Sequence, residues 1–383
     1  MTWELSSYFF TEDRHWEGLL LDYGIETFEV DFQLGKRMGR HDLLAGVRYR
    51  HHDFGLITGN LPIAYTAVLG TAALPLFTSR SGTGHEVINS AFLQDTIQLR
   101  DDLHLLIGTK FEDGTTGDDW MPSARIWWTP DGKTTYWASY SIANQSPAYN
   151  SMYVDTNVGY TPVPPTFTTF LPLSIVANPE SQPATLKQWE AGWRHLANDN
   201  LSLNLAAFFG DFEDLTLAGE HGIGMNHHNV DSAESYGAEF GVNWHTLGDA
   251  LAVRASASYS DTDISGPGAS TNQYSSAKWR GNLLANYTPN ADYTYHLGVY
   301  ATERAFEQVP GYIRTDIGCT WHPHDQGWEA TLRVQNLFDP SHPEDYSSFY
   351  GAYSREIPRT TYLQIRRWFS DQRKSCTPPN RET

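Results

Sequence analysis

Apolar and polar residues alternate one for one in short runs along most of the chain. In Phe28-Glu29-Val30-Asp31-Phe32-Gln33-Leu34, the apolar set is Phe28, Val30, Phe32 and Leu34, and the polar set is Glu29, Asp31 and Gln33. Leu201–Leu205, Tyr295–Val299 and Ala330–Gln335 repeat the scheme. A period of two puts successive side chains on opposite faces of an extended strand, so each run predicts a strand with one wet and one apolar face. Helical periodicity is almost absent. A chain of strands alone has few ways to hide its edges, and closure into a barrel is the strongest.

The pattern predicts about sixteen strands. They lie near 2–10, 23–37, 41–54, 85–101, 103–113, 119–129, 133–144, 185–197, 201–215, 232–246, 250–262, 276–288, 293–305, 311–322, 328–338 and 358–369. The connections alternate between tight and long. Pro130–Lys133, Asn198–Asn200, Thr246–Asp249 and Pro289–Asp292 are tight and carry the Gly, Pro, Asn and Asp that hairpin turns need. Long connections span 55–84, 145–184, 216–231, 263–275 and 339–356. Short turns on one rim and long loops on the other predict an all-β, antiparallel transmembrane β-barrel with a wet lumen and extracellular loops. A soluble sandwich would space its connections more evenly, and a propeller would show a repeat of about 40 residues, which is absent.

Composition changes this picture little and excludes some functions. The 383 residues include 21 Tyr and 13 Trp, yet only 40% are hydrophobic. Aromatic girdles around a polar lumen account for both values. A formal charge of −19 argues against nucleic acid, whose phosphates need clustered Lys and Arg. No apolar run reaches the length of about 20 residues that a spanning helix needs, which a barrel does not require. The start, Met1-Thr2-Trp3-Glu4-Leu5, lacks the basic and apolar regions of a signal peptide. Cys319, in a strand, and Cys376, in a polar tail, read as two unpaired thiols.

Several stretches, in order, resemble TonB-dependent receptors of the Gram-negative outer membrane. Phe92-Leu93-Gln94-Asp95 with Leu103–Phe111 is similar to one of the family's hairpins. Pro122-Ser123-Ala124-Arg125 with Thr135–Ser141 is similar to another. Trp189-Glu190-Ala191-Gly192-Trp193 followed by Leu201–Leu215, and Tyr236-Gly237-Ala238-Glu239, match further barrel elements. Pro310–Asp316 and Val334-Gln335-Asn336-Leu337-Phe338-Asp339-Pro340 match the last two, the second being the most specific. The motif residues are therefore Glu190, Gly192, Gly237, Glu239, Asp316, Asn336, Leu337, Phe338 and Asp339, and the resemblance covers roughly residues 25–369.

The resemblance implies a 22-stranded barrel plugged by an N-terminal domain, and energised uptake of a scarce nutrient, a ferric siderophore first among them. No plug and no TonB box are found, so the chain is expected to be the C-terminal portion of such a barrel over residues 1–369. Contact with the TonB complex is then expected only through the missing plug. The implied partners are outer-membrane lipid and lipopolysaccharide, a siderophore or similar ligand, and the barrel assembly machinery. Phe369, with Ile365 and Leu363 on its face, is expected to be the C-terminal assembly signal, although Arg367 stands between them. A polar tail, 370–383, follows.

Candidate chemistry is sparse. His227-His228, and His322 with His324, lack the carboxylate or thiolate company at ligand spacing that a metal needs, and they read as solvated loop histidines. His51-His52 end a strand, where a loop-side pocket would lie. An outer-membrane enzyme needs a Ser or Asp facing a His; Asp95 and Asp316 are candidates by residue type, but Asp316 belongs to a barrel motif. Gly222-Ile223-Gly224 precedes no helix, so it is not a phosphate loop. No catalytic site, metal or cofactor is expected. A plugless, porin-like passive channel is the alternative. Ligand specificity is expected in the loops, with Tyr65, Tyr149, Tyr153, Tyr160 and Phe167 as candidate contacts, each weighed against loop-on-loop packing.

Overall fold

The computed structural model describes residues 1–16, 21–55, 59–60, 75–79, 84–114, 116–162, 170–221, 224–266, 277–305, 309–323, 327–347 and 352–368. Among these, sixteen antiparallel strands follow one another around a single wall. They are β1 (Thr2–Trp16), β2 (Leu21–Met38), β3 (His41–Phe54), β4 (Gly84–Arg100), β5 (Leu103–Gly114) and β6 (Gly117–Trp128). Next come β7 (Thr134–Gln145), β8 (Ala184–Asn198), β9 (Leu201–His221), β10 (Gly224–Thr246) and β11 (Leu251–Ser265). The last five are β12 (Trp279–Asn290), β13 (Tyr293–Thr302), β14 (Tyr312–Trp321), β15 (Trp328–Gln335) and β16 (Thr360–Arg367). Each pairs with its neighbours in sequence; among the described residues, β1 pairs only with β2 and β16 only with β15.

Side-chain chemistry forms the tight turns as expected. The Asp131 carboxylate accepts the amides of Lys133 and Thr134 at 2.9 and 2.6 Å, closing β6 onto β7. Asn290 does the same for Asp292 and Tyr293 between β12 and β13. Leu247, Gly248 and Asp249 turn β10 into β11 with three successive positive φ angles (57°, 64° and 68°). Short polar side chains and a glycine tolerate that region; Leu247 is held there by the turn.

The wall is one layer with two unlike faces. Trp128 and Tyr136 (5.8 Å), Tyr287 and Tyr295 (6.4 Å), and Trp321 and Trp328 (5.5 Å) form an aromatic belt near the turn-side rim. Tyr140–Trp189 (4.9 Å), Trp189–Phe209 (5.7 Å) and Tyr259–Trp279 (4.8 Å) form a second belt toward the loops. Exposed Leu205, Leu283, Leu297, Ile317 and Leu332 lie between the belts. Two aromatic belts flanking an aliphatic band is the outer surface of a transmembrane barrel. The fully buried apolar residues among those described are Met152, Val154, Ala177, Ala233, Ala277 and Val309, mostly in the loops, so the wall encloses no soluble-type core.

Several predicted boundaries are corrected. The connection 216–231 is mostly strand: β9 and β10 run to His221 and from Gly224, so His227 and His228 stand in β10 rather than in a loop. A bulge between Phe212 and Leu215, with Asp214 at φ 57°, breaks the alternation, and the ladder resumes beyond it. β1 extends past residue 10 through the polar stretch Thr11–Arg14. Beyond the bilayer a strand no longer needs an apolar face, so alternation under-reports its length. The 145–184 connection holds helix α1 (Tyr149–Tyr153) and strands Val154–Pro162 and Phe170–Val176. The 339–356 connection holds the hairpin Ser341–Ser347/Ala352–Pro358. Cys319 is a free, half-buried thiol on β14; Cys376, Phe369 and the tail 370–383 lie outside the described residues.

Candidate functional site

The loop-side rim gathers the chemistry, and it does so differently on its two flanks. On the first, Phe54 at the end of β3 stacks on Tyr149 of α1 (4.0 Å, 12°), and Tyr149 meets Tyr153 at 5.0 Å. His52 tilts against Phe54 at 5.9 Å and bonds the Thr27 hydroxyl through Nδ1 at 2.8 Å. The helix is tied down beneath: Met152 and Val154 are buried, the Ser151 carbonyl accepts the Asn178 amide at 2.9 Å, and the Asp155 carboxylate accepts the Ala177 amide at 2.8 Å. Of the five loop aromatics predicted as contacts, Tyr149 and Tyr153 come together here. Tyr160 lies in the strand Val154–Pro162, paired with Pro172. Tyr65 and Phe167 lie outside the described residues. Phe54 was not foreseen; its signal was its place next to His51-His52 at a strand end.

Below this cluster the lumen of β1–β5 carries charges that satisfy one another. Glu29, 7% exposed, receives Arg50 Nε at 2.5 Å and the Tyr8 hydroxyl at 3.4 Å, and lies 3.7 Å from Arg48. Arg48 also reaches Asp31 at 3.2 Å. In the same row as Arg48, two strands along, Glu112 accepts Lys110 and the Ser90 hydroxyl. The period of two places all these residues on one face, because Glu29 stands opposite Arg50 and Asp31 opposite Arg48.

The second flank is a buried node built on the motif residues of β14 and β15. Arg314 grips Asp316 with two bonds, Nε at 2.9 Å and an Nη at 2.6 Å. The other bond to Asp316 comes from the Asn336 amide at 3.0 Å. Asn336 is 1% exposed with φ 53°; its side-chain nitrogen donates to the Ile357 carbonyl and meets His342 Nδ1, both at 3.1 Å. His342 stacks on Tyr312 at 4.1 Å and lies 3.4 Å from both Asp339 and Glu344. The Leu337 amide caps the Thr315 carbonyl at 2.8 Å, while Phe338 points outward, 76% exposed. The Asn336 side chain thus fastens the returning hairpin to the barrel end, which explains why an asparagine stands where the chain must turn with a left-handed backbone.

The remaining motif residues have steric or polar reasons. A Cβ on Gly192 would enter the Trp137 indole, and one on Gly237 would meet the Tyr259 carbonyl and the Phe208 ring. Glu190 accepts the Ser139 hydroxyl at 3.2 Å across the lumen face, and Glu239 stands on the same face opposite Ser258.

Among the described residues, those weighed for catalysis or metal binding are engaged in other contacts. No group of three or more His, Cys, Asp and Glu there is placed to hold a metal. Asp95 is paired with His41 at 2.6 Å on the exposed turn side, and Asp316 is locked in the node. His322 pairs with Glu329 at 3.3 Å; His324 lies outside the described residues. Gly224 opens a strand, not a helix.

The model of the TonB-dependent receptor-like β-barrel matches residues 5–337. No curated protein matches the chain significantly. Among solved structures, the ferric enterobactin receptor PfeA of Pseudomonas aeruginosa superposes with a TM-score of 0.69 at 16% identity, covering 94% of this chain and 59% of PfeA. The siderophore receptor PirA of the same organism gives 0.63 at 15%, covering 95% and 62%. PirA of Acinetobacter baumannii gives 0.68 at 15%, again covering 95% and 62%. At such identities the likeness concerns the fold, and the chain spans little more than half of these receptors. Another PfeA structure is covered over only 54% of its length. The sixteen-strand wall, its two belts, the buried Asn336 node and the match over 5–337 together make this chain a member of the TonB-dependent receptor β-barrel family, whose proteins reside in the Gram-negative outer membrane.

Proposed function

We propose that the chain supplies barrel wall and extracellular ligand surface to a receptor for TonB-energised uptake of a ferric siderophore. The observation that carries this reading is the loop-side rim, where Phe54, Tyr149 and Tyr153 offer a rigid aromatic face at the mouth of a polar lumen. Aromatic faces of this kind take up the flat rings that many iron chelators present, by offset stacking. The siderophore receptors PfeA and PirA share the fold, which adds to the reading. In this proposal residues 1–369 form the C-terminal part of the wall, with a plug and further strands supplied by the rest of the receptor. Phe369 acts as the signal for barrel assembly, and lipopolysaccharide surrounds the loop-side belt.

Deleting the gene and measuring uptake of radioactive iron as its siderophore complex tests the reading. The expected result is a loss of uptake that the intact gene restores and that a protonophore abolishes. Uptake that persists with the protonophore would overturn energised transport in favour of a passive channel. The DNA upstream of Met1 tests the partial wall separately: an in-frame plug and six further strands are expected there, and a clean start site would overturn that part.

A further inference from the structure

A groove on the lipid-facing side of the wall meets the turn-side rim at the β4–β5 hairpin. It encloses about 470 Å³ and is lined by Leu103, Ile126, Trp128, Tyr136 and Ala138, with Arg100 at its open end. The register explains its shape. Arg100, Leu103, Trp128 and Tyr136 stand opposite one another in a single row across β4–β7. The next row toward the bilayer centre is Leu105, Ile126 and Ala138, and Ala138 stands opposite Ala191 on β8. Alanines beside Trp128 and Tyr136 leave a furrow floored by methyl groups and walled by rings.

The open end carries one charge of each sign. Arg100 is exposed, and its Nε lies 3.3 Å from Asp102 Oδ1. It makes no other ion pair or side-chain hydrogen bond among the described residues, so both Nη groups are free to donate. The Asp102 carboxylate is turned to the outer face, because Trp128 Nε1 donates to its other oxygen at 2.7 Å. Each carboxylate oxygen keeps a lone pair for a further donor. The Thr129 amide donates to the Asp102 carbonyl at 2.8 Å and fixes the hairpin against β6. In the next hairpin, β6–β7, the acidic side chain is instead used up by its own turn, where Asp131 accepts the Lys133 and Thr134 amides and the Thr134 hydroxyl.

These charges sit where lipid headgroups begin. The Trp128–Tyr136 belt marks that level, and in an outer-membrane barrel the turn side faces the inner, phospholipid leaflet. A lone cation there would favour any anionic lipid. A cation with a carboxylate 3.3 Å away suits a head that carries both signs. The phosphate takes the free guanidinium nitrogens. A primary ammonium has three donors and takes Asp102, whereas a quaternary ammonium has none to offer. One acyl chain then lies in the furrow over Ile126 and Ala138.

We propose that Arg100, Asp102 and the adjoining furrow seat one phospholipid of the inner leaflet whose head pairs a phosphate with a primary ammonium, that is, a phosphatidylethanolamine. The site lies outside the lumen and is independent of the nutrient the receptor carries.

The test adds three lipids with identical acyl chains to the delipidated full-length gene product in detergent, and native mass spectrometry reads how much of each stays bound. The lipids are phosphatidylethanolamine, phosphatidylcholine and phosphatidylglycerol. The first is expected to bind roughly 3–10-fold more tightly than the other two. Asp102→Asn keeps an acceptor for Trp128 but removes the charge, and should erase the preference. Arg100→Gln should weaken phosphatidylethanolamine by a similar factor. Ala138→Leu fills the furrow and should weaken all three lipids alike. Equal binding of the three by the parent overturns the seat, as does binding of none. A preference for phosphatidylglycerol overturns it too, since that marks a site for negative charge alone. A preference that survives both Asp102→Asn and Arg100→Gln puts the lipid elsewhere, and undiminished binding in Ala138→Leu removes the furrow; either result overturns the proposal. Heat-modifiable migration of each variant checks that it is folded.

Discussion

The two flanks of the lumen use charge in opposite ways. On β2–β5, every cation named has a near partner: Arg50 and Arg48 share Glu29, Arg48 adds Asp31, and Lys110 holds Glu112. On β11–β14, Arg314 is bound as firmly, yet Arg280, two strands away, has no ion pair among the described residues. Charge self-compensated on a wall stiffens it and offers little to a ligand. Charge left uncompensated contributes little to the fold and remains available for binding. The difference separates charge that ties strands of the wall together from charge that the wall leaves unpaired.

The largest break in this comparison should come from the buried node. Asn336→Ala removes the bonds to Ile357 and His342 and keeps a Cβ at φ 53°. It should cost about 2–4 kcal/mol, read as a lower midpoint of the heat-modifiable band shift. An unchanged midpoint would mean that the node does not secure β14–β16. Next, Glu29→Gln leaves Arg48 and Arg50 without their shared carboxylate, for an expected loss of about 1–3 kcal/mol. Arg280→Ala, by contrast, should stay within about 0.5 kcal/mol of the parent. Equal losses in detergent unfolding would erase the distinction between the flanks.

A comparable effect is expected at a neutral contact. Gly192→Ala drives a methyl into Trp137 and should destabilise by about 1–3 kcal/mol, and adding Trp137→Ala should recover part of it. If the double variant is no better than the single, the clash is elsewhere. The smallest effect is a pH dependence of the turn side. The amides of Thr134 and Lys133 hold the Asp131 carboxyl below the usual aspartate range. A depressed pKa gives stability that is present above the ordinary aspartate value and lost as pH falls through the folded one. Parent protein should therefore lose slightly more stability in acid than Asp131→Asn, compared by unfolding at neutral and strongly acidic pH.

Much of the wall is legible in sequence because a strand in a membrane must alternate. Phe28–Leu34 reads correctly, with Glu29 and Asp31 inward, since lipid permits no other arrangement. Alternation fails where that pressure ends. The β9–β10 hairpin runs on past the Asp214 bulge into water, and Thr11–Arg14 extends β1 with polar residues on both faces. The motif Asn336-Leu337-Phe338-Asp339 is visible as a string, but its role is not. Asn336 works through His342 and Ile357, which the hairpin brings back from six and twenty-one residues away. Tyr149 is legible as a loop aromatic, whereas its partner Phe54 belongs to a strand and becomes its neighbour only through α1. Arg280 could be placed on the lumen face by parity, but its lack of a partner depends on four strands at once.

Strand direction sets a condition on the two outer edges of the wall. β1 leaves the turn side, where Thr2 stands opposite Gly35, and climbs toward the loops. β16 starts at the loop side and descends until Arg367 stands opposite Trp328. Neighbours that alternate up and down can join a descending edge to a climbing one only through an even number of intervening strands, zero included. Any strands that stand between these two edges come in pairs, as whole hairpins; with none, the edges meet each other directly. A single added strand would have to lie parallel at one seam, with slanted, weaker bonding where the rest of the ladder is antiparallel.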